Sequence, residues 1–374
     1  MAERLVSPAN EAPDSAGAAR RQLLLAIAAA LLCGFAITAA VSDAPLQAFL
    51  VLITGALPDI RWSEAQGFEL RRLVRFGSVI EDAITLSFLG LAVAVPFRAR
   101  QYSLGADGQL FLAALASAAV GLYLPGPWFV VLPLAFAAAM LTGFGWGLLP
   151  GLLKARYAAN EIVTTLMLNV IAVQLYRLLI SGPMRDPAAG FLVTPVLPPA
   201  ALLPGLIPHT NVGWMLLAVP LAVFAAWALL MRTTIGYEIR TYGLAAPFAR
   251  QVGMPVTRAV VLSMALGGAF AALAGVHVGH ALLKRLPVDL NPGLGFEGLV
   301  VALLARNDPK AVPLAAFLYA YLRTGAQAME RTTDVSREVV LVIQALMILF
   351  VVAQRLLPAW WPRLQLRARS AGVR

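Results

Sequence analysis

Glu161, Thr164, Thr165 and Asn169 fall at i, i+3, i+4 and i+8 within EIVTTLMLN, so four polar side chains share one face of a helix. Polar groups in an apolar run are costly unless they face a bundle interior or water. They could therefore line a pathway for a polar solute. The same spacing also suits a plainer role, with Glu161 a first-turn acid favoured by the helix dipole and Asn169 a bridge to a neighbouring helix. Glu297 and Asn307, at the two ends of a short apolar run, carry the same two readings. GADGQ and GFEGL both read glycine, any residue, acid, glycine, then an apolar helix. Gly105, Asp107 and Gly108 thus match Gly295, Glu297 and Gly298. The match suggests an inverted repeat, which sets a pathway between its halves. Glycine pairs that only permit a kink or close packing would look the same.

Enzyme chemistry finds little support. His277 and His280 share a face at i, i+3, but no further ligands stand at metal-binding spacing, which favours packing roles over a metal site. No Ser-His-Asp set and no HExxH occurs. A G-x-x-x-x-G-K-[ST] loop is absent too, so energy from ATP would have to come from another chain. Cys33 is the single cysteine, which excludes an intramolecular disulfide. The run around it continues to about residue 40, as a span does and a cleaved signal does not.

The elements that must position these groups are membrane spans. Of 374 residues 60% are hydrophobic and 13% charged, against roughly 45–50% and about 25% in soluble proteins. Apolar runs of about 20 residues recur along the chain. The expected fold is all-α and polytopic, with about ten transmembrane helices near 23–40, 79–95, 104–124, 128–149, 161–180, 212–231, 259–282, 293–305, 312–328 and 339–357. Residues 1–22 read as a disordered tail, 23–357 as the membrane domain and 358–374 as a basic tail. The run 46–57 is too short to cross, so a re-entrant or interfacial helix is expected there.

A net charge of +10 could suggest nucleic acid, but the basic residues sit at membrane flanks, where Lys and Arg mark the cytoplasmic side. With ten spans, 18 of the 29 lysines and arginines fall on the side of the termini and 9 on the other. That asymmetry places both termini in the cytoplasm. It places there too the mixed segment 234–255, TIGYEIRTYGLAAPFARQVGMP, in which Pro247 could start a short helix. Such a helix suits docking of a soluble partner, or an amphipathic loop resting on headgroups.

With these residues in view, the chain resembles the permease subunits of ATP-binding-cassette importers, in the branch serving simple sugars, branched-chain amino acids and nucleosides. GADGQLFLAALA, GLLKARYAANEIVTTLMLNVIA followed by SGPMRDP, TTIGYEIRTYGLAAPFARQVGM, GFEGLVVALLARNDP and VIQALMILFV carry the likeness, in the family's order. NEIVTTLMLN with GPMRDP and ALLARNDP looks most like nucleoside permeases that work with lipoprotein binding proteins. One departure is Tyr102-Ser103-Leu104 before Gly105, where asparagine-isoleucine-glycine is more usual. The resemblance implies a vitamin-importer-like fold in a bacterial inner membrane, paired with a second, non-identical permease. It implies a coupling helix docked on a cytoplasmic ATPase, carried by Gly236, Tyr237, Glu238, Arg240, Gly243, Ala249, Arg250 and Gly253. ATP and magnesium would sit on that ATPase, with no cofactor bound by this chain, and an extracytoplasmic binding protein would deliver solute. From the residues alone, an ion-coupled carrier working by itself is the rival class. The long spans lack the central carboxylates such a carrier usually needs.

Overall fold

Inside a bilayer the backbone must satisfy its own hydrogen bonds, and the apolar runs do so as helices. The computed structural model describes residues 32–57, 59–63, 67–71, 73–206, 210, 212–290 and 293–353. The expectations for the two tails and for the start of the first span lie outside these residues. Two units are distinguished, Met1–Gly55 with Gly325–Arg374, and Ala56–Thr324.

In the first unit, α1 (Leu32–Val41) and α2 (Pro45–Thr54) are short apolar helices. Phe35 and Phe49 meet edge to face at 5.4 Å, joining them. The α2 helix bears out the expectation of a non-spanning helix in 46–57 and turns Ala48 and Leu52 inward. The exposed turn at Asp334 closes on Ser42, whose Oγ donates to its carboxylate at 2.6 Å.

The second unit begins with two strands the all-helical expectation omits. β1 (Asp59–Ser63) pairs antiparallel with β2 (Gly67–Arg71), Trp62 opposite Phe68. Six helices long and apolar enough to span a membrane follow. They are α3 (Leu73–Arg98), α4 (Ala106–Tyr123), α5 (Trp128–Tyr157), α6 (Glu161–Ser181), α7 (Met215–Arg232) and α10 (Val256–Val276), the last extended by a π-helical stretch, His277–Leu283. Between α7 and α10 lie α8 (Thr234–Leu244) and α9 (Ala246–Gln251). The chain continues into α11 (Leu294–Leu304) and α12 (Val312–Thr332), and the unit boundary falls within α12; α13 (Arg337–Ala353) belongs to the first unit. Ten spans are thus an expectation that length and composition support for six of the helices.

Helix α5 runs eight residues past the expected end at 149, through the basic residues to Tyr157. Lys154 and Arg156 complement the dipole there, and Ala158, at φ 53°, ends the helix. Asn160 then caps α6, its side chain accepting from Ile162 N at 2.9 Å.

Helix α10 is the centre of the packing. On α5, Gly143, Gly147 and Gly151 recur every fourth residue and face it. A Cβ at Gly147 would lie 2.5 Å from Met264 O, and one at Gly151 2.9 Å from Val261 Cα. Without side chains on that stripe the two backbones touch, the usual way to associate helices in lipid. Helix α3 runs antiparallel to α10, with Ala92 beside Gly267 at one end and Glu81 O at 3.3 Å from His277 Nε2 at the other. Helix α4 runs parallel to α10, Leu110 beside Gly275 and Gly121 beside His280.

Candidate functional site

The segment from Thr233 to Gly253 is built as a rigid bracket. Thr233 is extended; its Oγ1 donates to Leu229 O at 2.6 Å and accepts from Gly236 N at 3.1 Å, so one side chain stitches the end of α7 to the start of α8. Gly236, Ile239 and Gly243 form the buried face of α8. A Cβ at Gly236 would lie 2.6 Å from Leu230 Cα, and one at Gly243 2.9 Å from Arg98 C, so α8 rests directly on the ends of α7 and α3. Behind it, Arg98 Nε donates to Asn307 O at 2.8 Å, in a turn where Arg306 and Asn307 both adopt positive φ. The expected helix opened by Pro247 is α9, with Ala249 buried. Gly253 closes it at φ 75°.

The outer surface of this bracket is apolar. Tyr237, Leu244, Phe248 and Val252 are all exposed, Leu244 at 80%. Arg250 is exposed beside them, whereas Glu238 and Arg240 are half-buried, with Glu238 Oε2 and Arg240 Nε shielded and without a hydrogen-bond partner among the described residues. Of the eight residues expected here, Gly236, Gly243 and Ala249 are therefore packing positions, and Tyr237 and Arg250 face outward. Leu244, Phe248 and Val252 were not singled out from the sequence. Their apolar character inside a polar segment was the available signal.

The two Gly-x-acid-Gly motifs meet. Asp107, 4% exposed, accepts from Gly295 N at 2.7 Å and from Gly293 N at 3.2 Å, so the carboxylate of α4 caps the start of α11. A Cβ at Gly295 would lie 2.6 Å from Asp107 N. Opposite directions follow from the neighbours, since α4 runs antiparallel to α3 and α11 runs along it, Gly298 against Leu89. The ten-span topology had set the motifs on opposite sides of the membrane, and the structure corrects this. Both helices start at one internal junction. Helix α11 has 11 residues, about 16 Å at 1.5 Å per residue, too short to cross. Residues 99–105 reach the junction as irregular backbone largely buried in protein, the setting in which a membrane tolerates it.

The polar face of α6 serves this junction. Asn169 Oδ1 accepts from Gly108 N at 2.9 Å and its Nδ2 donates to Leu104 O at 2.6 Å. Thr165 Oγ1 accepts from Leu104 N at 3.2 Å. Both side chains are buried, and they hold the start of α4 in place. Glu161 instead pairs with Lys154 at 2.7 Å, and Thr164 Oγ1 donates to backbone carbonyls of its own helix. Asn307 Oδ1 is buried and has no hydrogen-bond partner among the described residues, and the residue stands apart from this junction, behind α8.

Glu297 belongs to a charged group that includes two residues missed in the sequence. Arg323 Nη1 lies 2.8 Å from Glu297 and its Nε 3.9 Å from Asp82, joining α11, α12 and α3. All three side chains keep partial exposure, between 18% and 29%. Arg323 lies within the expected span 312–328. Its partners are distant in sequence, and nothing local announces them. No group of three or more potential metal ligands occurs among the described residues.

A model of the branched-chain amino acid transport system / permease component family matches residues 76–352. The glucose ABC transporter permease protein TsgB13 of Haloferax volcanii is 33% identical, over 88% of this chain and 86% of that protein. The guanosine ABC transporter permease protein NupP of Bacillus subtilis is 33% identical, over 74% and 80%. The nucleoside ABC transporter permease protein NupB of Lactococcus lactis is 27% identical, over 77% and 81%. The matched region contains the bracket, the helix-start junction and the charged group alike. This chain belongs to the family of the branched-chain amino acid transport system permease component.

Proposed function

We propose that the chain is the permease subunit of an importer for nucleosides, coupled to a separate ATPase through α8 and α9. The observation that carries coupling is the apolar surface of Tyr237, Leu244, Phe248 and Val252 on a bracket with no slack behind it. Force applied there passes by backbone contact into the ends of α3 and α7, and from α3 into α10 and α11. Nucleotide-driven closure of the ATPases would then bias the helices between two arrangements, provided the ATPase binds one of them better. On this reading both termini are cytoplasmic, a second and non-identical permease completes the pathway, and a binding protein supplies solute.

The pathway face would include Glu297 with Asp82 and Arg323, whose partial exposure leaves donors and acceptors for the hydroxyls of a neutral solute. Thr165 and Asn169 would act indirectly, by holding α4. A nucleoside is favoured by the two nucleoside relatives and the motif likeness. A sugar is the second reading, favoured by the 33% identity to the glucose permease over 88% of the chain. Uptake of labelled guanosine and labelled glucose, in cells lacking the gene and in cells given it back, decides between them. We expect guanosine uptake to return with the gene while glucose uptake is unchanged. The reverse pattern selects the sugar, and no change in either sinks both.

A further inference from the structure

We propose that a groove on α7 is a binding site for an anionic phospholipid. Val219, Pro220, Val223 and Phe224 from α7 and Pro313 from α12 wall a groove of about 330 Å³, which ends at Trp227 and Lys310. The walls are apolar, as an acyl chain requires. The end is cationic. Lys310 Nζ lies 4.6 Å from the centre of the Trp227 ring and Arg232 Cζ lies 5.5 Å from it. Neither cation has a carboxylate partner among the described residues. The nearby Asp308 accepts from the backbone N–H of Lys310 at 3.1 Å and makes no ion pair with either cation among the described residues.

Two cations without a carboxylate partner at one end of an apolar groove suit an anion there. The position along the helix fits a lipid. From Val219 to Arg232 α7 rises about 20 Å, against about 15 Å for the hydrocarbon of one leaflet. An acyl chain can therefore lie along the groove while the phosphate reaches Lys310 and Arg232, with Trp227 at headgroup level where tryptophan is enriched. Basic pockets between helices near the membrane surface recognise anionic headgroups in this way. A second permease subunit laid over the groove would cover its apolar walls but would have to supply a carboxylate to meet the two charges. A zwitterionic lipid brings its own cation along with its phosphate. Charge complementarity thus favours a headgroup of net negative charge, such as phosphatidylglycerol.

The test uses the full chain, with whatever subunits accompany it, purified in mild detergent and exchanged with phosphatidylglycerol, phosphatidylcholine or free glycerol 3-phosphate. Bound lipid is counted by native mass spectrometry. The expected result is roughly tenfold preferential retention of phosphatidylglycerol, falling to the phosphatidylcholine level in the Lys310→Gln/Arg232→Gln variant. In vesicles, brominated phosphatidylglycerol should quench tryptophan emission of the wild type more than that of Trp227→Phe. Equal retention of the two lipids, or full retention by the double variant, would overturn the proposal. So would binding of glycerol 3-phosphate as strong as that of the lipid, or a cross-link through Phe224→Cys to a second permease chain in place of lipid.

Discussion

The start of α4 and the α8–α9 bracket are both punctuated by glycine, and both bring backbone against backbone, yet they expose opposite things. At the junction of α4 and α11 the acid of the motif is turned inward and spent on the amides of Gly293 and Gly295. At the bracket the glycines are spent inward and the large apolar side chains are left outside. In the first region glycine lets one part of the chain complete another. In the second it fastens a surface to the helix ends and leaves the large side chains of that surface exposed. A motif's glycines therefore report where backbones must approach, and the side chains between them report what the approach is for.

Changes at the junction should act on folding. The largest effect is expected for Gly295→Val, because the added Cβ would meet the Asp107 backbone, which cannot step aside. A loss of about 1–3 kcal/mol or more in the detergent-solubilised protein is expected from overpacking, read from thermal or denaturant unfolding. An unchanged midpoint would mean that the two helix starts are not in contact. Next comes Asp107→Ala, which leaves two amides of α11 without their acceptor and should cost about 1–3 kcal/mol. Asp107→Asn, which keeps an acceptor oxygen, should recover most of this loss in the same assay. Equal damage from both would point to the charge and not to the hydrogen bonds.

A second carboxylate sharpens the contrast. Asp334 also accepts from a backbone amide, Asp43 N at 2.8 Å, and from Ser42 Oγ, but it is solvent-exposed. Those hydrogen bonds hold its pKa below the usual 3.8. A depressed folded pKa contributes stability above the unfolded value and loses it as the pH falls through the folded one. The difference between wild type and Asp334→Asn should accordingly be small at pH 7 and shrink further below pH 3.8, as followed by unfolding at a series of pH values. A gap that widened in acid would reverse the assignment.

Much of the scaffold was legible in the sequence because a span needs only a long apolar run and an end signal. The fifth expected span, 161–180, begins where α6 does, at Glu161. The segment holding the eight positions was singled out through resemblance, and the helix opened by Pro247 through local chemistry. What escaped depended on contacts between distant residues. Asp107 and Gly295 are 188 positions apart, so their meeting could be suspected from the repeated motif but their shared depth could not. Arg323 found its carboxylates on two other helices. The strands β1 and β2 are five residues each, too short for alternation to stand out beside an apolar chain. The end of α5 was missed because lysine and arginine mark membrane flanks whether the backbone there is loop or helix.

The most direct measurement concerns the exposed surface of the bracket. Leu244→Glu/Phe248→Glu and wild type would be purified from the membrane through a tag on this chain, and the co-purifying ATPase subunit would be quantified, with thermal unfolding recorded on the same samples. The expected result is a stability within about 0.5 kcal/mol of wild type, as for other exposed positions. The recovered ATPase should fall at least tenfold, about 1.4 kcal/mol of association. Undiminished ATPase in a well-folded variant, or no ATPase with the wild type, would contradict the assignment of α8 and α9 as the coupling surface.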